Sequence, residues 1–300
     1  MGSDVALSTM WAIGRFQRLA DFFDAGGRLG FTRFELNHAI DSGMLEGLSL
    51  DGTIASIHEP CPADLSMATL KERNWLISAP HEENRRPGVG AVQRSIELAH
   101  QLGARVVIVH PGRVDIDPAL ESTLVQLYQE GKVGQPEYAQ AKERLVTARA
   151  AQAEANMRPV RRSLLELAEY AAGKGVRLAL ENRFHYFEIP LPDELENLLG
   201  LGLGDVVGYW HDVGHAQVLE NLGLGAHEEW LRRFAGRIIG VHLHDVVGVT
   251  DHLAAGLGRV DWEMVASYLP ASALRTCEFQ AFNSAEEVAA GVRWLMAYNV

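Results

Sequence analysis

The chain predicts an α/β fold, a (β/α)8 TIM barrel, on three observations. Eight short apolar or β-branched runs recur along its 300 residues. Amphipathic stretches closed by Gly or polar residues separate them, which is the alternation of a parallel sheet covered by helices. Six of the runs end in His, Asp or Glu, and in a closed barrel those ends converge on one face. Barrels of this length form one unit and no linker-like shift in composition interrupts the chain, so residues 1–300 are expected to be one domain.

The runs follow in order. Val5–Met10 and Thr32–Leu36 are the first two, and Thr53–His58 is the third. Val92, Ile96, Ala99 and Leu102 then fall at helical spacing, with Gly103 where a C-cap is expected, before the fourth run Arg105–His110. After that strand the alternation lapses. Pro118 to Gly173 holds a helical segment, a Gly131–Gly134 break and a long run rich in Ala, Glu and Arg, an extended helical insertion of about residues 117–160. It reads as a solvated helical hairpin. A lid over the mouth, or a contact between copies in a homo-oligomer, is the other reading. Leu165, Leu167, Ala168 and Ala171 precede Gly175 and the fifth run, Val176–Glu181; Val206–His211, Ile238–His242 and Leu274–Phe279 complete the eight.

Bulk properties narrow the function. With 47% hydrophobic and 22% charged residues the chain can build a core and a wet surface. It has no apolar run of the roughly 18 residues a membrane helix requires, and no basic segment followed by an apolar one at its start, so no membrane association and a cytoplasmic location are expected. Cys61 and Cys277, the two cysteines, are expected to be reduced, buried thiols. A formal charge of −12 repels a phosphate polymer, which makes nucleic acid an unfavourable partner.

The third run ends at His58 and the fourth at His110, followed by Pro-Gly-Arg; the fifth ends at Glu181, followed by Asn182 and Arg183. The sixth supplies Asp212 and His215. The seventh offers His242, His244 and Asp245, with Asp251 and His252 soon after, and the eighth contains Glu278. Any one of these alone is an ordinary hydrogen-bonded or solvated side chain. Together they place carboxylates at the buried ends of apolar strands, and that desolvation calls for a compensating cation. Oxygen and nitrogen donors without a cysteine cluster suit Mn, Mg, Co or Zn, as one octahedral ion or as two or three with bridging ligands. His38, His81, His100 and His227 stand away from the strand ends and are expected to be surface or packing residues.

The motifs VVIVHPG at 106–112, LALEN at 178–182, DVGH at 212–215, VHLHD at 241–245, DHLAAGLGRVDW at 251–262 and Glu278 together resemble the xylose-isomerase-like TIM-barrel superfamily. That group includes sugar and sugar phosphate isomerases and epimerases and the endonuclease IV class of abasic-site nucleases. The resemblance covers nearly the whole chain. For the sugar enzymes it implies one metal held by Glu181, Asp212, His242 and Glu278. Glu181 and Glu278 would also serve as acid and base, His215 and Arg183 would bind substrate, and Glu188 would reach the same pocket. For the nuclease branch it implies further ligands, here His58, His110, His215 and His252, which in a sugar enzyme would contact substrate. Asp251 departs from that branch, because it adjoins His252 where the pattern has one residue between.

The expectation is therefore a divalent-metal-dependent sugar isomerase or epimerase working through a metal-stabilised enediolate on a small carbohydrate. Metal-dependent phosphodiester hydrolysis is the rival that the ligand number favours and the net charge opposes. A non-catalytic metal- or sugar-binding barrel is the third reading.

Overall fold

A computed structural model describes residues 5–300. Eight parallel strands close a barrel, and all eight expected runs are among them. The strands are β1 (Val5–Ser8), β2 (Phe34–Leu36), β3 (Ile54–His58), β4 (Val106–Val109), β5 (Arg177–Glu181), β6 (Val207–Asp212) and β7 (Ile238–Leu243); β8 (Asp245–Val247) and β9 (Thr250–Leu253) form a separate hairpin, and β10 (Leu274–Cys277) closes the barrel between β7 and β1. The antiparallel β8–β9 hairpin is absent from the expected pattern. It lies in the loop above β7 and carries Asp251 and His252.

Alternation along each strand decides which side chains enter the barrel. Val106, Ile108, Ala179 and Trp210 pack together as a small cluster of their own, with Ile239 and Leu274 partly buried against it. Their neighbours Val107, Val109, Leu178, Leu180, Tyr209, Val241, Leu243 and Cys277 belong instead to the large core beneath the helices. Continuing the inner series two residues at a time leads from Ile108 to His110, from Ala179 to Glu181 and from Trp210 to Asp212. Apolar side chains thus fill the barrel's lower layer and polar ones its upper layer. Gly240 makes room in that lower layer, because a Cβ there would collide with the Trp210 ring.

The helix before β4 spans Glu82–Leu102 and ends at Gly103 with φ 71°; the one before β5 ends at Gly175 with φ 68°, both as the caps anticipate. The insertion consists of helix Ala119–Gln129 and helix Pro136–Lys174, which is 39 residues long. No break occurs at residue 160. The inserted helix and the barrel helix are one rod of about 58 Å at 1.5 Å per residue. Its lower half buries Val160, Leu164, Leu167, Ala168 and Ala171 in the main core. The upper half is not a free hairpin in solvent: Leu124, Tyr138, Ala141 and Leu145 form a second core with Tyr186 and Leu219. Among the described residues, no helix is long and apolar enough to cross a membrane.

Candidate metal centre

Glu181, Asp212, His242 and Glu278 converge at the C-terminal ends of β5, β6, β7 and β10, all buried to within 1% of full burial. Nδ1 of His242 lies 2.8 Å from Glu181 Oε1, 3.2 Å from Glu278 Oε2 and 3.4 Å from Asp212 Oδ2. Burial disfavours a charged imidazole, but Glu278 and Glu35 outweigh it and hold the His242 pKa well above the ordinary histidine range. Burial raises and His242 lowers the Glu278 pKa, with the net result well below the usual carboxylate range.

A second group shares Glu181. His58 Nε2 and His110 Nε2 face each other at 2.5 Å, and Glu181 Oε2 stands 3.2 Å from the latter and 3.7 Å from the former. Burial, reinforced by Arg183, pushes the His110 pKa well below the ordinary value. Two ring nitrogens and a carboxylate oxygen aimed at one spot are a donor set for a cation. Like the first group, in which Glu278 Oε2 has no hydrogen-bond partner among the described residues, they suit a divalent ion of the oxygen- and nitrogen-binding kind. Cys61 and Cys277 are buried free thiols outside these groups.

The DVGH motif folds onto this centre. Asp212 accepts the His215 backbone N–H at 2.7 Å as the N-cap of helix Val213–Asn221. Position 214 is Gly because a Cβ would enter the His244 ring. His215 Nδ1 lies 3.0 Å from the Asn182 carbonyl, and burial pulls its pKa down to about 4. His244 accepts the His252 backbone N–H at Nδ1 and therefore donates from Nε2 to Asp212 Oδ1 at 3.0 Å. Both its nitrogens are in use. His215, His244 and His252 lie close enough to suggest a further metal group, but His244 serves there as a support for Asp212. His252 stacks on His244 at 4.2 Å, lies 3.0 Å from Asp251 Oδ1 and 3.4 Å from Glu278 Oε2. Burial lowers and Asp251 raises its pKa, which rises to about 10.

Arg183 pairs with Glu181 and lies 3.3 Å from Glu188 Oε2, while Lys71 holds Glu188 Oε1 at 2.8 Å. Ten of the side chains singled out from the sequence, His58, His110, Glu181, Arg183, Glu188, Asp212, His215, His242, His252 and Glu278, therefore meet at this end of the barrel.

Two expectations are corrected, and one residue of the centre was missed. Asp245 is not available to a metal: it accepts from the backbone N–H groups of Val246, Gly256 and Val260 and from Trp262 Nε1, and so ties down the 251–262 loop. His38 is not a remote packing residue. It follows β2 and its ring lies 5.3 Å from His58 and 5.9 Å from His110; burial and the neighbouring His58 push its pKa down to about 3. Glu35, which the strand-end criterion passed over, is fully buried inside β2. Its carboxylate lies 3.1 Å from His242 Nε2 and accepts from Ser56 Oγ at 2.7 Å. The missed signal was a charged residue inside an apolar run, next to its end and on the face that points inward. By contrast, His227 is buried against His211 at 3.0 Å and belongs to none of these donor groups.

Because Nδ1 of His242 faces the three carboxylates, Nε2–H is left to Glu35, which fixes the ring and its tautomer. Glu35→Gln is expected to weaken divalent-metal binding by roughly 10- to 100-fold with the barrel intact. Calorimetric titration with Mn²⁺ or Zn²⁺ checks this, and wild-type affinity in the variant would remove Glu35 from the centre.

Residues 53–298 match the family described as Xylose isomerase-like TIM barrel. The chain belongs to that family. An uncharacterized protein of Sinorhizobium fredii, y4fM, is 26% identical over 202 residues, which are 65% of this chain and 53% of that protein, so the match spans about half of the relative's length. Among solved structures, a D-tagatose 3-epimerase-like protein superposes with a TM-score of 0.68 at 18% identity, covering 98% of this chain and 96% of the other. The 3-keto-D-glucoside 4-epimerase of E. coli gives 0.66 at 15% identity, with 98% and 99% covered. An IOLI protein with a bound zinc atom gives 0.65 at 15% identity, with 98% of each chain covered. These likenesses establish the fold.

Proposed function

We propose that this xylose isomerase-like barrel is a divalent-metal-dependent isomerase or epimerase of a small sugar or sugar phosphate. The observation that carries the reading is the placing of two carboxylates, Glu181 and Glu278, against the same His242 nitrogen at 2.8 and 3.2 Å, with Asp212 completing the set. The epimerases among the structural neighbours support it at the level of the fold.

Glu181, Asp212, His242 and Glu278 would hold the ion, which when bound polarises a sugar carbonyl and acidifies the neighbouring C–H. Glu181 and Glu278 arrive from β5 and from the end of β10, separate sides of the barrel mouth. One removes the proton from the carbon beside the carbonyl and the other returns it. Arg183, Glu188 and His215 orient the hydroxyls, and His58, His110 and His252 line the same space. His110 and His215, with pKa values pushed down by burial, are neutral at pH 7 and can accept hydrogen bonds. Glu188 stays ionised because Arg183 and Lys71 overcome its desolvation.

One observation favours the hydrolase reading: His58, His110 and Glu181 form a second donor group sharing a carboxylate with the first, as two-metal hydrolysis of a phosphodiester requires. The charge of −12 opposes a polyanionic substrate. Elemental analysis of the purified protein, followed by assays of the retained metal form on a sugar panel and on abasic duplex DNA, separates the two. Sugar interconversion without DNA cleavage is the expected result; salt-sensitive cleavage of abasic DNA with no sugar turned over would reverse it.

A further inference from the structure

The helices of the insertion leave a question, since a closed barrel does not need them. Their polar side chains give the answer. Arg149, 3% exposed in the middle of helix Pro136–Lys174, sends Nε to the Tyr186 carbonyl at 2.6 Å and Nη2 to the Glu188 carbonyl at 3.0 Å. The same guanidinium grips both oxygens of Glu194 at 2.7 Å. From the other inserted helix, Glu121, also 3% exposed, accepts the Tyr186 N–H at 3.1 Å. The Tyr186 ring completes the core of the inserted pair. Apart from Glu194, which lies in the helix Pro192–Leu199 that follows, all of this falls on the loop after β5, the segment that carries Arg183 and Glu188.

A buried Arg spending its donors on two loop carbonyls is a fixture: without it, both carbonyls and Glu194 lose their charged partner in a desolvated place. The loop has further ties from Val114 N–H to the Phe187 carbonyl at 2.8 Å and from Ile189 N–H to the Gly112 carbonyl at 2.9 Å, and Lys71 holds Glu188. The segment after β4 and the inserted helices thus both hold it.

We infer that the insertion is an anchor for the substrate-binding wall, with Arg149 and Glu121 as positioning residues that keep Arg183 and Glu188 over the metal centre. The substrate-facing part of this rests on the sugar reading above; the anchoring itself does not. The anchor grips the loop beyond β5, whereas the ligand side chains stand at the strand ends, Glu181 on β5 itself and Asp212, His242 and Glu278 on other strands, so loop order and metal affinity are read separately.

The test compares Arg149→Gln and Arg149→Lys with wild type in the full chain loaded with Mn²⁺. It follows amide hydrogen exchange across residues 183–190, Mn²⁺ affinity, and KM for the ketohexose D-tagatose. In Arg149→Gln, exchange in that segment and KM are both expected to rise about tenfold or more, with Mn²⁺ affinity unchanged and Arg149→Lys recovering part of each loss. Exchange at the wild-type rate would overturn the anchor, and so would a rise in exchange spread over the whole barrel with Mn²⁺ affinity falling alongside. Should Arg149→Gln not fold, Glu121→Leu, which removes the acceptor of the Tyr186 N–H, is read by the same outcomes. If wild type leaves D-tagatose unbound and unchanged, that failure falls on the sugar reading, while exchange and Mn²⁺ affinity still decide the anchor.

Discussion

Glu181→Gln and Glu278→Gln should each lower sugar turnover by a factor of roughly 10³ or more, the scale of a lost proton-transfer group combined with a weakened metal site. The substitutions are isosteric, so the packing around either side chain survives. What changes is that an amide neither takes up a proton nor neutralises a cation. The two variants should differ in a second property. Glu181 belongs to both donor groups and also holds Arg183, so its loss should weaken binding of every ion retained. Glu278 faces His242, His58 and His252, so its loss should spare an ion held by His58, His110 and Glu181. Steady-state assays with metal analysis of each variant check this; full activity in both would end their assignment as the acid–base pair.

Removing the metal is expected to cost the protein stability as well as activity. The centre gathers Glu35, Glu181, Asp212 and Glu278, each no more than 1% exposed, and carboxylates so desolvated need positive charge beside them. A ligand present at about a thousandfold above its Kd stabilises the folded state by about 4 kcal/mol. For a chain of this size that is about 6 °C in melting temperature. Differential scanning calorimetry before and after chelation measures it. The pH dependence has a definite sign. Without metal, His242 is held protonated by Glu278 and Glu35, and a group with a raised pKa stabilises the fold below its unfolded value and loses that contribution as pH rises through the raised one. Metal binding must displace that proton. The gap in melting temperature between loaded and metal-free protein should therefore widen from pH 6 to pH 8. A gap that narrows would contradict the assignment of His242 as a ligand.

The barrel was legible because its signal is repeated. Each barrel strand lay in a short run, several of them introduced by caps such as Gly103 and Gly175, and the barrel strands differ from those runs only at their ends. The site was legible for the same topological reason, since parallel strands bring their last residues together without any need to foresee a contact. What stayed hidden depends on the direction of single side chains. Glu35 precedes the end of its strand and enters the barrel through alternation, which a search for terminal residues ignores. His38 follows a three-residue strand whose end is difficult to place. Asp245, within a motif full of ligand types, turns instead to backbone amides supplied by residues 246, 256 and 260, and the β8–β9 hairpin that determines this rests on pairing between segments that no local pattern reveals. The role of the insertion was equally out of reach, because Arg149 lies in a helical run rich in charged residues and only its burial sets it apart.

In the proposed reaction Glu181 and Glu278 move a proton at a sugar carbon beside the metal centre. The most direct measurement is incorporation of solvent deuterium by the metal-loaded protein into a ketohexose in D₂O, followed by mass spectrometry and NMR. Deuterium at the carbon next to the carbonyl, appearing with the epimer or isomer and lost in Glu181→Gln and Glu278→Gln, is the predicted result. Binding of the sugar with no deuterium entering, or entry at the wild-type rate in both variants, would rule out that role for the two carboxylates.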